Sequence, residues 1–249
     1  MKTNETMNAG NNSLRWIALF VLCVAQFIVI MDTSIIGVAL PAIKADLGYT
    51  QSGLQWVFNA YVIAFGGFLL LGGKLSDIFG ARRIFVAGFT VLTFSSLFAG
   101  LAWSDLSLNV ARALQGLGSA LIAPAALTMV FGLFKEPKEL GRALGFWGAA
   151  AAAGGSAGVF LGGVITEWVS WQWIFFINIP IGLLVLLASP RYLPRGVKRK
   201  GLVDVIGAVL ATLSLMFTVY AIVTAERNGW TSFTTMGLLL GSIVLIILF

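Results

Sequence analysis

Eight apolar runs, each long enough or nearly so to cross a bilayer as a helix, divide the sequence between residues 14 and 249. They fall at 14–40, 53–72, 84–102, 108–134, 143–165, 171–188, 203–224 and 233–249, the last barely of spanning length. In hydrocarbon every backbone N–H and C=O needs an internal partner, so such runs fold as helices. The predicted fold class is an all-α polytopic membrane protein. Composition agrees: 59% of residues are hydrophobic and 10% charged, with mean hydropathy +0.95, far from the mix of a soluble domain. The first run exceeds the 7–15 apolar residues of a secretory leader and no clear cleavage site follows it, so it reads as a span.

The side-chain inventory removes several function classes. With no histidine and one cysteine, Cys23, there is no intrachain disulfide framework, no zinc site and no Ser-His-Asp chemistry. No metal and no cofactor is expected, and no loop gathers a nucleophile with a base, so the chain does not read as an enzyme. The net charge of +6 does not mark a nucleic-acid partner, because the charges follow topology. Thirteen of the sixteen basic residues lie in alternate loops: Lys2 and Arg15; Lys74, Arg82 and Arg83; Lys135, Lys138 and Arg142; Arg191, Arg195, Lys198, Arg199 and Lys200. The opposite loops hold Lys44 and Arg227. This bias places the N-terminus in the cytoplasm of a cell with the chain in its plasma or inner membrane. Trp16, Trp56, Trp103, Trp168, Trp171 and Trp173 fall near the expected interfaces, as belt anchors do.

One charge lies inside a span. Arg112, in the run 108–134, costs roughly 2.5–3.5 kcal/mol at the centre of a helix on insertion scales. Gln115, Gly116 and Gly118 follow it. In the first span Asp32 interrupts another apolar run. With the N-terminus inside, Asp32 lies roughly 7–8 Å beyond the middle of its span and Arg112 roughly 9 Å toward the same face. A nearby cation favours a carboxylate and burial favours the neutral acid, so a coupled pair could exchange a proton. The alternative is that each snorkels toward the outer headgroups. Gln26, Asn59, Tyr61, Gln115 and Trp147 are the candidates for lining a substrate cavity. The loop over 73–83 reads as a compact charged turn, with glycines at 73 and 80 and Asp77 able to cap a helix. The Gly/Ala-rich run with Gly154, Gly158, Gly162 and Gly163 reads as a close-packing surface.

These segments resemble the major facilitator superfamily. Its loop signature, Gly-x-Leu-small-Asp-x-x-Gly-x-basic-basic, is met by Gly73, Leu75, Ser76, Asp77, Gly80, Arg82 and Arg83. Its Arg-x-x-Gln-Gly-x-Gly pattern is met by Arg112, Gln115, Gly116 and Gly118. The stretch MDTSIIGVALP, with Asp32, Thr33, Ala39, Leu40 and Pro41, is similar to the first helix of drug/proton antiporters with fourteen spans. Asn178 and Pro180 of the sixth run, and Asp204 and Gly207 of the seventh, also look like that branch. Gly154, Gly158, Gly162 and Gly163 resemble the antiporter signature, although Val159 stands where the family usually has proline, so no kink is forced there.

Residues 1–13 are polar and read as a disordered N-terminus, and 189–202 as a basic linker; the resemblance implies a six-helix N-terminal half over 14–188 and two additional helices over 203–249. The second six-helix half is expected to lie outside this chain. The implied activity is secondary transport: export of drug-like or hydrophobic small molecules against protons, with Asp32 and Arg112 coupling the proton. The alternative is a split or truncated membrane module that acts only beside a second half. Small-molecule substrate, protons, lipid bilayer and that second half are the implied partners.

Overall fold

The computed structural model describes residues 2–195 and 205–248. Among these residues the chain forms helices and no strand: α1 (Lys2–Leu47), α2 (Gln51–Leu54), α3 (Trp56–Phe79), α4 (Ala81–Gly100), α5 (Asp105–Leu133), α6 (Pro137–Trp168), α7 (Trp173–Phe176), α8 (Asn178–Tyr192), α9 (Val205–Asn228) and α10 (Phe233–Leu248). Six segments of the described chain are long and apolar enough to cross a membrane: Ser13–Leu47, Gln51–Phe79, Ala81–Gly100, Asp105–Leu133, Pro137–Trp168 and Trp173–Tyr192. Shorter apolar stretches occupy Val209–Ala225 and Phe233–Leu248.

Several boundaries differ from the sequence reading. Residues 2–13, expected to be disordered, continue α1 as helix; they hold no proline, and elongating an existing helix adds a hydrogen bond for each residue fixed. At its other end α1 runs through Pro41 to Leu47, because a spanning helix tolerates a proline where neighbouring helices satisfy the freed backbone group. The expected turn over 73–83 is much shorter. α3 continues to Phe79, and Gly80 alone, at φ 92°, joins it to α4. Asp77 therefore sits within α3, exposed, and does not cap α4, whose N-cap Gly80 carries no side-chain bond. The start of the expected linker is helical through Tyr192. The rest of it, with Lys198, Arg199, Lys200 and Asp204, lies outside the described residues.

α1 packs chiefly on α6, α3 and α4 on α5, α8 on α4, and α9 on α10 and α3. The α1–α6 seam is a close approach of two backbones. A side-chain carbon at Gly154 would sit 2.5 Å from the Phe27 carbonyl oxygen, at Gly158 2.9 Å from that of Met31, and at Gly162 2.8 Å from that of Ile35. Both sets recur every four residues, so one stripe on each helix makes the contact. Gly163 lies off this stripe, at ordinary distance from Val38. The same device brings α5 onto its neighbours, with Gly116 against the Tyr61 carbonyl and Gly88 and Gly118 facing one another. α9 and α10 are joined by hydroxyls: Ser214 Oγ donates to the Ser242 carbonyl at 2.9 Å, and Thr218 Oγ1 lies 2.5 Å from Ser242 Oγ.

Both ends of the bundle are tied. At the end carrying most of the basic loops, Arg15 grips the Glu139 carboxylate at 2.6 and 2.8 Å, and Arg82 donates to the carbonyls of Pro190 at 3.3 Å and Leu193 at 3.2 Å. Those carbonyls lie at the C-terminus of α8, where a cation is favourable. At the other end Trp171 Nε1 donates to Asp46 at 2.8 Å. Trp171 is thus buried rather than part of an interfacial belt, unlike the exposed Trp103, Trp168 and Trp173. Tyr49 Oη donates to the Asp105 carbonyl at 2.8 Å, and burial, followed by the charge of Asp105, pushes its phenol up.

The core divides into two apolar clusters. The one nearer the basic end gathers Leu22, Phe85, Phe89, Met129 and Phe134. The other gathers Ile35, Ile43, Leu108, Trp171 and Phe175. On α1 the first cluster ends at Met31 and the second begins at Ile35; on α5 the second ends at Ala111 and the first begins at Ile122. A polar layer fills the gap.

Candidate functional site

That layer is built around Asp32 and Arg112, both with no exposed side-chain surface. Arg112 Nη1 donates to Asp32 Oδ2 at 2.7 Å and to Gln115 Oε1 at 2.9 Å, while Nε donates to the Val57 carbonyl of α3 at 3.0 Å. Asp32 Oδ1 accepts from Gln115 Nε2 at 3.1 Å and from Asn178 Nδ2 at 2.7 Å. Gln115 Nε2 also donates to Ser96 Oγ at 2.8 Å. The Tyr61 ring lies under the guanidinium, 4.5 Å from Cζ to centroid, within cation–π range. The buried polar atoms of the layer without a hydrogen-bond partner include Arg112 Nη2 and Asn178 Oδ1.

Five spanning helices meet here, each turning one or two polar groups into an otherwise apolar interior. Arg112 and Gln115 are three apart on α5, so they project side by side. α1 presents Asp32 beside Met31, whose backbone is fixed by Gly158 of α6. α4 adds Ser96, α3 a carbonyl and a ring, and α8 its first residue, Asn178. The carboxylate receives three donors, which suits an acceptor-only charged group. Burying such a pair involves a desolvation cost of several kcal/mol per ion, and similar apolar residues are often as stable or more so. The pair therefore gains the bundle little stability, and buried intramembrane charges mark functional positions.

Of the residues the sequence singled out, the structure brings together Asp32, Arg112, Gln115 and Tyr61. The expectation that Asp32 and Arg112 lie at matching depth agrees with their direct contact, and the snorkelling alternative is set aside because neither side chain reaches the surface. Gln26 and Asn59 are half-buried and take no part in this hydrogen-bonded layer. Trp147 is half-buried against the apolar cluster nearer the basic end, so its ring is a packing element there. A cavity of about 600 Å³ opens elsewhere, lined by Leu40, Gln51, Ser52, Leu54, Gln55 and Arg227. Ser96 and Asn178 escaped the site list drawn from sequence. The available signal was an asparagine within an apolar span; a serine is too common in spans to stand out.

A model of the Major Facilitator Superfamily matches residues 22–249. The chain belongs to that superfamily. It is 45% identical over 233 residues to the cephamycin export protein CmcT of Amycolatopsis lactamdurans, a match covering 91% of this chain and 47% of that protein. It is 40% identical to the puromycin resistance protein pur8 of Streptomyces alboniger, covering 96% of this chain and 48% of the relative. The chain thus spans about half the length of these curated relatives. A crystal structure of the POT family transporter PepTSo superposes with a TM-score of 0.65 at 17% identity, over 92% of this chain and 51% of that one, which shows a shared fold. As a member of this transporter superfamily the chain is a multi-pass membrane protein.

Proposed function

We propose that the chain forms the N-terminal six-helix body, with two additional helices, of a fourteen-span secondary transporter that exports drug-like or hydrophobic small molecules in exchange for protons. The observation that carries this reading is the fully buried Asp32–Arg112 pair, hydrogen-bonded to Val57, Gln115 and Asn178 in the middle of an apolar bundle. A carboxylate whose charged form depends on a movable cation is a proton carrier: drawing Arg112 away favours uptake, and restoring it favours release. The names of CmcT and pur8 support a small antibiotic-like cargo. The basic loops support a cytoplasmic N-terminus in the cell membrane.

Transport in this account is the rocking of this body against a second one around the polar layer. The second body comes from the same polypeptide or from another chain. Asp77 and Arg83, exposed beside Gly80, contact it when the basic end closes. Gln26 and Asn59 then line the path with Tyr61.

A proteoliposome assay tests the reading. An imposed proton gradient across vesicles holding the intact transporter drives export of a fluorescent cationic dye, and collapsing the gradient stops it. Dye movement indifferent to the gradient would refute proton coupling. The runner-up is a membrane module inactive until joined by a separate second body; it is favoured if the chain alone is silent and co-expression of that body restores transport.

A further inference from the structure

Asp32 has two amide donors on the same oxygen, and they are not equivalent. The Gln115 side chain is committed at both ends: its oxygen accepts from Arg112 at 2.9 Å and its nitrogen donates to Asp32 and, at 2.8 Å, to Ser96. Turning it over would break bonds to three groups. Asn178 is committed at one end only. Its Nδ2 donates to Asp32 Oδ1 at 2.7 Å and, more weakly, to Ser96 Oγ at 3.4 Å, while its Oδ1 is buried without a partner. An unpaired buried carbonyl oxygen is unfavourable, so its persistence calls for a second state in which it is used.

The chemistry of Asp32 supplies that state. An ionised carboxylate only accepts, whereas the neutral acid carries an O–H that must donate. With a proton on Oδ1, the Asn178 N–H and the new O–H face each other as two donors. Half a turn about the Cβ–Cγ bond of Asn178 exchanges its nitrogen and oxygen and gives the acid an acceptor at the same place.

We propose that Asn178 is a positioning residue for proton exchange at Asp32, donating to the carboxylate and turning over to accept from the acid. This rests on the reading of Asp32 as the proton carrier. Asn178 is also the first residue of α8, separated from α7 by Ile177 alone, and it lies where the two apolar clusters part. Its two states therefore link the charge of Asp32 to the α7–α8 junction. The titratable groups facing Asp32 are Arg112 of α5 and Tyr61 of α3; among the described residues α4, α6, α7 and α8 present none to it.

Infrared difference spectroscopy of the reconstituted protein during a pH titration tests the proposal. The protonated-carboxyl band of Asp32 is identified by its loss in Asp32→Asn. In Asn178→Leu, of similar volume but without the amide, the band's midpoint is expected to move upward, because the bond lost by the charged carboxylate is stronger than the one lost by the acid, and its frequency to rise. Asn178→Ser, whose shorter side chain falls short of Asp32, moves the midpoint the same way and serves if the leucine variant does not fold. An unmoved midpoint in a folded variant would overturn the role of Asn178 while leaving Asp32 as the carrier. If Asp32→Asn removes no titrating band, the reading of Asp32 fails, and that of Asn178 with it.

Discussion

Arg112 of α5 donates to Asp32 of α1 at 2.7 Å, and neither side chain has any surface outside the bundle. Breaking a buried pair from one side leaves an unpaired charge, which is destabilising by about 3–5 kcal/mol, whereas replacing both partners with apolar residues is often neutral. Arg112→Leu is therefore expected to lower the thermal midpoint of the detergent-solubilised protein strongly. Adding Asp32→Leu should recover most of the loss. Thermal unfolding of both single variants and the double variant, followed by tryptophan fluorescence, checks this cycle.

The α1–α6 seam makes a sharper distinction than glycine content alone. Gly158→Ala puts a carbon 2.9 Å from the Met31 carbonyl oxygen, while Gly163→Ala meets only Val38 at 3.8 Å. The first is expected to destabilise by about 1–3 kcal/mol through overpacking. The second should be neutral or slightly favourable, because alanine is the better helix former. Comparing melting temperatures separates the two glycines, which sequence alone treats as one motif.

Arg82 and Arg83 are neighbours with different work. Arg82 caps the carbonyls of Pro190 and Leu193, and Arg83 is exposed. Arg82→Ala is expected to speed proteolytic cleavage after α8, by about fivefold if one net hydrogen bond of about 1 kcal/mol is lost. Arg83→Ala should leave that cleavage rate unchanged. Limited proteolysis of solubilised protein provides the measurement.

Orientation is testable with thiols, since Cys23 is the only native cysteine. In a Cys23→Ser background, Ser104→Cys is expected to react with an impermeant maleimide added to intact cells. Lys138→Cys should react only after the membrane is opened. The reverse pattern would invert the topology drawn from the basic loops.

Much of this architecture was legible in the sequence because a bilayer leaves so few options. Apolar runs become helices, and the position of Arg112 and Asp32 along their runs sets their depth. The parts that were not legible depend on rotation and neighbours. Helix ends went astray at Pro41 and Gly73, where local breaker signals were overridden by packing and by the need to keep backbone groups paired. Trp171 has the look of a belt residue, yet Asp46 draws its indole inward. Asn178 and Ser96 entered the site only through contacts from α8 and α4, which no spacing within either helix reveals. Depth along a helix likewise does not say which face Trp147 occupies; it is half-buried against the apolar cluster nearer the basic end.

Asp32, as the proton carrier proposed above, gives up its proton when cargo binds. Adding substrate to the purified transporter in weakly buffered detergent solution with a pH-sensitive dye measures this directly. Proton release is expected from the wild-type protein and none from an Asp32→Asn variant that still binds the cargo. Undiminished release from that variant would contradict this role of Asp32.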